Sequence, residues 1–336
     1  MMSAEAPSRQ TVLVTWMDFD PEGRSTGARL RAAGFEIRLA PKTGARSAAD
    51  MARLTEDAVA AIVSTDPFDR HVFAAAPSLR AIARVGVGTD SIDLAAATEA
   101  GVVVLTTPGA NRETTADHAL ALILAALRRV VEHDTSIRRG EWLRAGPMTP
   151  WDLHRTTVGL IGYGGIGRAV ARRLRGFDVA LLVCDPAAAA APGIENVALP
   201  DLLRRSDVVS LHVPLTEATA GLMGEQQIGL MRPSAVIVNT SRGGLIDEIA
   251  LANALRAGRL RGAALDVFAD EPEVPRTFAE LSNVVLTPHI GGLSERSIAS
   301  MTERATSHVL DALRGAPDAS AVANPAVLAR GGEVVA

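Results

Sequence analysis

Apolar residues fall along this chain in two alternating rhythms. Short β-branched runs read as strands: T-V-L-V-T at 11–15, A-I-V at 61–63, A-I-A-R-V at 81–85 and V-V-V-L at 102–105. Between them lie helical patterns such as Arg24–Ala33 and Leu94–Ala100, closed by Gly34 and Gly101 at the expected helix stops. Four strands at this spacing predict a small parallel α/β unit. A second series follows, with strands at 158–162, 180–185, 208–213, 235–240, 262–267 and 283–288. Helical segments at about 165–175, 201–205, 225–230 and 247–257 separate them, which predicts a second doubly wound sheet with right-handed crossovers.

Between the two series, Glu113–Val131 is apolar on nearly all sides through its middle. A helix of that kind needs cover from two partners, so it is expected to link the domains and to contribute to a subunit interface. A final helix at about 295–313 has no sheet of its own to complete and is expected to pack back on the N-terminal domain. The Ala187–Ala191 run, set between Pro186 and Pro192, reads as a local low-complexity loop.

A length of 336 residues favours two domains over one core. Aromatic residues are only 3% of the chain, so the core must be built from Ala, Val, Leu and Ile, as in parallel sheets covered on both faces. The formal net charge of -4 is spread without a basic run, and nothing points to nucleic acid or to an acidic membrane surface. The longest apolar stretch, 119–127, is too short to span a bilayer, and the N-terminal M-M-S-A-E-A-P-S-R-Q lacks a signal-peptide core. The single cysteine, Cys184, excludes an internal disulfide and reads as a small buried residue at a strand end, which fits a cytoplasmic location. No metal site is expected.

The chemistry begins at G162-Y-G-G-I-G167, which follows a strand and opens a helix. Gly162 makes the tight turn, Gly164 lets backbone approach a pyrophosphate, and Gly167 allows close helix–strand packing. Asp185, at the end of the next strand, is placed to accept from both ribose hydroxyls and to repel a 2′-phosphate. No lysine or arginine follows within ten residues, so NAD is expected rather than NADP. Downstream lie a fixed cation, an acid and an imidazole in three separate segments: Arg242 in N-T-S-R-G-G, Glu271 in D-V-F-A-D-E-P and His289 in T-P-H-I-G-G. Hydride transfer to a small 2-keto acid needs these three groups.

These motifs, together with R-V-G-V-G-T-D-S-I-D at 84–93, T-P-G-A-N at 107–111 and S-D-V-V-S-L-H-V-P-L-T at 206–216, resemble the D-isomer-specific 2-hydroxyacid dehydrogenases from about residue 62 to 296. The nearest branches are phosphoglycerate dehydrogenase and glyoxylate/hydroxypyruvate reductase. The resemblance implies two doubly wound parallel-sheet α/β domains. A Rossmann NAD-binding domain would span 107–289, and a smaller flavodoxin-like substrate domain would be assembled from 1–106 and 290–336. It implies His289 as acid/base, Glu271 as its partner and Arg242 as the substrate clamp. Backbone at Gly86, Val87 and Gly88 would hold the substrate carboxylate, and backbone at Gly165 and Ile166 the pyrophosphate. Val213 would wall the adenine side, Thr240 and Ser241 would flank the nicotinamide, and Asp266 would contact its carboxamide. A homodimer is implied, with helix 113–131 and the loop holding Trp142 and Trp151 as candidate contacts.

Ser64 stands where the phosphoglycerate branch carries an arginine, and Asp66 lies close by, an acid ill suited to a phosphorylated substrate. The chain also continues only about forty residues past T-P-H-I-G-G. A short unphosphorylated keto acid such as glyoxylate or hydroxypyruvate is therefore favoured over phosphohydroxypyruvate. Formate dehydrogenases share the fold but carry glutamine in place of the histidine's acidic partner, and Glu271 argues against that reading. A non-catalytic NAD(H)-sensing protein, like the family's transcriptional corepressors, would keep the same motifs and is separated from an enzyme by turnover.

Overall fold

The structure, a computed structural model, describes residues 10–144, 146, 149–188 and 192–330. Most of the N-terminal ten-residue stretch and Ala189–Ala191 of the alanine run lie outside the described residues. Contacts divide the chain into two compact units, Met1–Asn111 with Ser294–Ala336, and Arg112–Leu293.

The described residues of the first unit form a five-stranded parallel sheet of β1 (Thr11–Val14), β2 (Glu36–Leu39), β3 (Ala58–Val63), β4 (Ala81–Arg84) and β5 (Val103–Leu105), in the order β2-β1-β3-β4-β5. This is the flavodoxin-like winding. The strands' period of two sends alternate residues to opposite faces. Val12, Val14, Ala60, Ile62, Ala81 and Ala83 pack under helices Gly27–Ala32 and Glu295–Leu313. Leu13, Ala61, Val63, Ile82 and Val104 pack under helices Ala48–Thr55, Arg70–Ala75 and Leu94–Glu99. Strand β2 and the helices at 48–55 and 70–75 escape the sequence pattern. E-I-R-L is an edge strand with no fully buried position, so its alternation carries little apolar signal. Thr107 stays with this unit by donating from N to Gly86 O at 2.8 Å.

The second unit holds seven parallel strands: β6 (Thr157–Ile161), β7 (Ala180–Cys184), β8 (Glu195–Asn196), β9 (Val208–Leu211), β10 (Val236–Asn239), β11 (Gly262–Leu265) and β12 (Val284–Leu286). Their order is β12-β11-β10-β9-β6-β7-β8, the dinucleotide-fold winding with its reversal between β6 and β9. Ligands of such sheets bind beyond the carboxyl ends of the strands at that reversal. One face, with Val158, Leu160, Val208 and Val238, is covered by helices Arg112–Arg128 and Gly165–Leu174. The other, with Ile161, Val209, Ile237 and Leu265, lies under helices Leu199–Arg205, Glu225–Leu230 and Glu248–Arg256.

The helix expected at 113–131 differs in two ways. It ends at Arg128, and Arg129 takes a left-handed conformation (φ 52°) before a second helix, Val130–Arg138. Within the chain it is also not wrapped on all sides. Thr115, Ala116, Ala119, Leu122, Ile123 and Leu127 form one buried stripe, while Leu120 and Leu124 are only partly covered. Among the described residues no helix is long and apolar enough to cross a membrane.

Candidate active site

The glycine loop is set between β6 and its helix by backbone crowding. Gly162 sits at φ +95°, and a Cβ there would lie 2.7 Å from the His212 carbonyl. A Cβ on Gly167 would lie 2.3 Å from Gly162 O, so both positions require glycine. Gly164, the N-cap of helix Gly165–Leu174, faces open space instead. That is the surface an incoming pyrophosphate would use, and the helix N-terminus behind it supplies free amides and favourable polarity. Asp185 is tied to the loop. Its Oδ2 accepts from Tyr163 N at 2.6 Å and its Oδ1 from Ala187 N at 2.8 Å, leaving further lone pairs for ribose hydroxyls. Thr240 Oγ1 is buried with no hydrogen-bond partner, at the carboxyl end of β10. An open cradle, a tethered acid and an orphaned hydroxyl all fit a bound dinucleotide. Val213 lies against Gly162. Cys184 is half-buried at the end of β7, where burial, with Asp185 beside it, pushes its thiol pKa up.

The Arg242 turn is braced by Asn239, whose Nδ2 donates to Arg242 O at 2.8 Å and whose Oδ1 accepts from Ser241 N at 3.0 Å. Ser241 Oγ donates to Leu211 O. Gly243 allows this turn to meet the next loop, because a Cβ there would stand 1.9 Å from the Phe268 carbonyl carbon. In that loop Glu271, whose bond to Pro272 is cis, accepts from Phe268 N through Oε1 at 3.1 Å. Its Oε2 lies 2.6 Å from His289 Nδ1. Burial alone would raise the Glu271 pKa, but the His289 hydrogen bond and charge, the Phe268 amide and the Arg242 charge outweigh it and hold the carboxyl below its usual range. With Nδ1 committed to the carboxylate, Nε2 is the ring nitrogen left for a substrate.

His289 adopts φ +53°, a left-handed conformation uncommon for a non-glycine residue. Asp266 imposes it. Its main-chain oxygen accepts from His289 N at 2.8 Å, and its carboxylate accepts from Ile290 N at 2.9 Å, Gly291 N at 2.8 Å and Thr287 Oγ1 at 2.6 Å. His118 Nε2 adds a contact at 3.3 Å to the same carboxylate and one at 3.1 Å to Thr287 Oγ1. Asp266 is only 1% exposed, and these partners, working against burial, draw its pKa below the ordinary value. The carboxylate expected to contact the carboxamide thus also holds the His289 turn. No motif in the sequence marks His118 for this bracing. The clue was its place in the first turns of the helix covering β10–β12. His212 is the opposite case. Its ring nitrogens are buried with no partner, and burial lowers its pKa to about 4, so it stays neutral.

In the first unit, Gly86 (φ +138°) follows β4, with its N bonded to Thr107 Oγ1 at 2.9 Å and the Arg84 guanidinium packed against its Cα. Val87 is exposed. Asp66 corrects one expectation. It is fully buried, and accepts from Thr15 Oγ1 at 2.6 Å and Arg46 Nη1 at 2.9 Å. Its charge is neutralised inside the unit, so it offers no field against a phosphorylated substrate.

The family model described as "D-isomer specific 2-hydroxyacid dehydrogenase, NAD binding domain" matches residues 120–291. A glyoxylate reductase of Korarchaeum cryptofilum is 45% identical over 259 residues, covering 75% of this chain and 78% of that protein. The chain belongs to the D-isomer specific 2-hydroxyacid dehydrogenase family. It is therefore an NAD-dependent oxidoreductase. A D-3-phosphoglycerate dehydrogenase of Mycobacterium leprae is 44% identical over 255 residues, covering 75% of this dehydrogenase but 47% of that longer protein. Among solved structures, a glyoxylate reductase from Paecilomyes thermophila superposes with a TM-score of 0.79 at 33% identity, covering 91% of this chain and 95% of that one.

Proposed function

We propose that this dehydrogenase interconverts a short, unphosphorylated 2-keto acid and its D-2-hydroxy acid, with glyoxylate or hydroxypyruvate as the substrate class. The His289–Glu271 pair at 2.6 Å carries the reading, because it sets one imidazole nitrogen against a carboxylate and leaves the other for a carbonyl oxygen. The nicotinamide cofactor supplies or accepts the hydride. In reduction His289 Nε2 delivers a proton to the carbonyl oxygen, and in oxidation it takes that proton back. Glu271 holds the ring's orientation through its contact with Nδ1. Arg242 is the substrate clamp, a planar fork for the carboxylate or carbonyl. The amides of Gly86, Val87 and Gly88 are assigned to the carboxylate, those of Gly165 and Ile166 to the pyrophosphate, and Thr240 and Ser241 to the walls around the nicotinamide. Asp185 favours NAD over NADP.

The substrate choice rests on Ser64 in place of an arginine and on the relatives named glyoxylate reductase, including one of Thermococcus litoralis at 40% identity. NADH oxidation against glyoxylate, hydroxypyruvate, phosphohydroxypyruvate and pyruvate tests it. The first two should give the highest kcat/KM, and a clear preference for phosphohydroxypyruvate would reverse the assignment. We further propose a cytoplasmic homodimer. Val130, Val131, Ile137, Trp142 and Leu143 are all more than 40% exposed within one short stretch of the second unit, beside a groove of about 440 Å³ lined by Val131, Leu143 and Leu281. Trp151 is engaged inside the chain instead, with the Arg261 guanidinium 4.4 Å from its ring centroid.

A further inference from the structure

Gly165, the first residue of its helix, has no side chain, yet the space beside it is filled. A Cβ at this position would stand 2.7 Å from Arg112 Nε, 3.2 Å from Cζ and 3.3 Å from Nη2. The Arg112 guanidinium therefore lies over the glycine loop, in the volume that a side chain at 165 would occupy. Arg112 is also the first residue of helix Arg112–Arg128, which packs against helix Gly165–Leu174.

The Arg112 side chain thus reaches from the start of its own helix to the start of the other and places a cation beside a positive pole. A cation is disfavoured at that end of a helix, where acids are the stabilising choice. The next residue, Glu113, does not compensate it. Its Oε2 is taken by Arg172 at 2.6 Å and Arg173 at 2.9 Å. Among the described residues the Arg112 guanidinium makes no hydrogen bond or ion pair. An exposed, unneutralised cation held beside a helix start is costly to the empty protein and suited to an anion.

We propose that Arg112 is a cofactor-binding residue that donates to the pyrophosphate of NAD, in the space left by Gly165. The inference rests on the NAD site at the glycine loop and adds a side-chain cation to its backbone amides. Arg112 makes no contribution to the acid/base chemistry.

NADH, ADP and adenosine binding to the wild type, Arg112→Gln and Arg112→Lys, with the melting temperature of each unliganded protein, tests this. A charge-assisted hydrogen bond of the usual strength predicts about tenfold weaker binding of NADH and ADP by Arg112→Gln, with adenosine unchanged. Arg112→Lys should recover part of the loss. The unliganded Arg112→Gln protein should melt at the wild-type temperature or slightly above it. Unchanged NADH and ADP affinity in Arg112→Gln would overturn the proposal. So would an equal loss for adenosine, or a lowered melting temperature, since either marks a structural role. Failure of the wild type to bind NADH would instead remove the cofactor site itself.

Discussion

Glu271 and His289 lie eighteen residues apart in sequence and 2.6 Å apart in space, and the proposed mechanism predicts that this contact sets the acid side of the pH profile. The Glu271 carboxyl is held below its usual range, against burial, by the His289 hydrogen bond and charge, the Phe268 amide and the Arg242 charge, so it is ionised at neutral pH. The pairing is present above that lowered pKa and is lost as pH falls through it. Glu271→Gln has no such titration. Its keto-acid reduction at neutral pH should fall on the order of 10²-fold, and the carboxylate-dependent decline on the acid side should vanish. Rate profiles carried from pH 9 down to about pH 3, below the ordinary carboxylate range, check this, and an unchanged acid limb in Glu271→Gln would remove the carboxylate from the pair. These residues were legible in the sequence because each stands in a short segment of distinctive composition. The bracing by Asp266 was not legible, since nothing in L-D-V-F shows that its carboxylate turns inward to amides more than twenty positions ahead.

At the scale of elements, the loop from β12 to Leu293 is a strained turn clamped from below by β11. Asp266 is nearly inaccessible and its pKa is lowered by its hydrogen bonds in spite of burial. The sign follows: its contribution to stability is complete above the ordinary aspartate pKa of about 3.9 and is lost as pH falls through the lower folded value. Asp266→Asn replaces one acceptor oxygen with a donor that faces amide donors. It should cost about 1–3 kcal/mol at pH 7, with the difference from wild type narrowing toward pH 3. Urea unfolding at the two pH values measures it, and a constant difference would deny the carboxylate this role. The strands of both sheets that are buried on two faces were readable as continuous apolar runs. The edge strand β2, with Glu36 and Arg38 in four residues, was not, and neither was the break at Arg129, which depends on one residue's left-handed backbone rather than on composition.

At the scale of the molecule, the exposed apolar side chains from Val130 to Leu143 predict self-association. Light scattering should give twice the 35.1 kDa chain mass, and Trp142→Asp, which charges a side chain 77% exposed in the single chain, should yield monomers. A wild-type monomer would end the dimer assignment without touching the chemistry. The two-unit architecture was visible in the βαβ cadence, whereas the neutralisation of Asp66 by Arg46 joined residues twenty apart that no motif connects. A D-2-hydroxyacid dehydrogenase reaction that runs through His289 needs this residue for turnover and not for cofactor binding. NADH oxidation with glyoxylate or hydroxypyruvate by the wild type and His289→Ala, alongside the NADH affinity of each, measures both. The variant should lose about 10²- to 10⁴-fold in kcat while binding NADH as the wild type does. Turnover near the wild-type rate in His289→Ala would take the proton transfer away from His289.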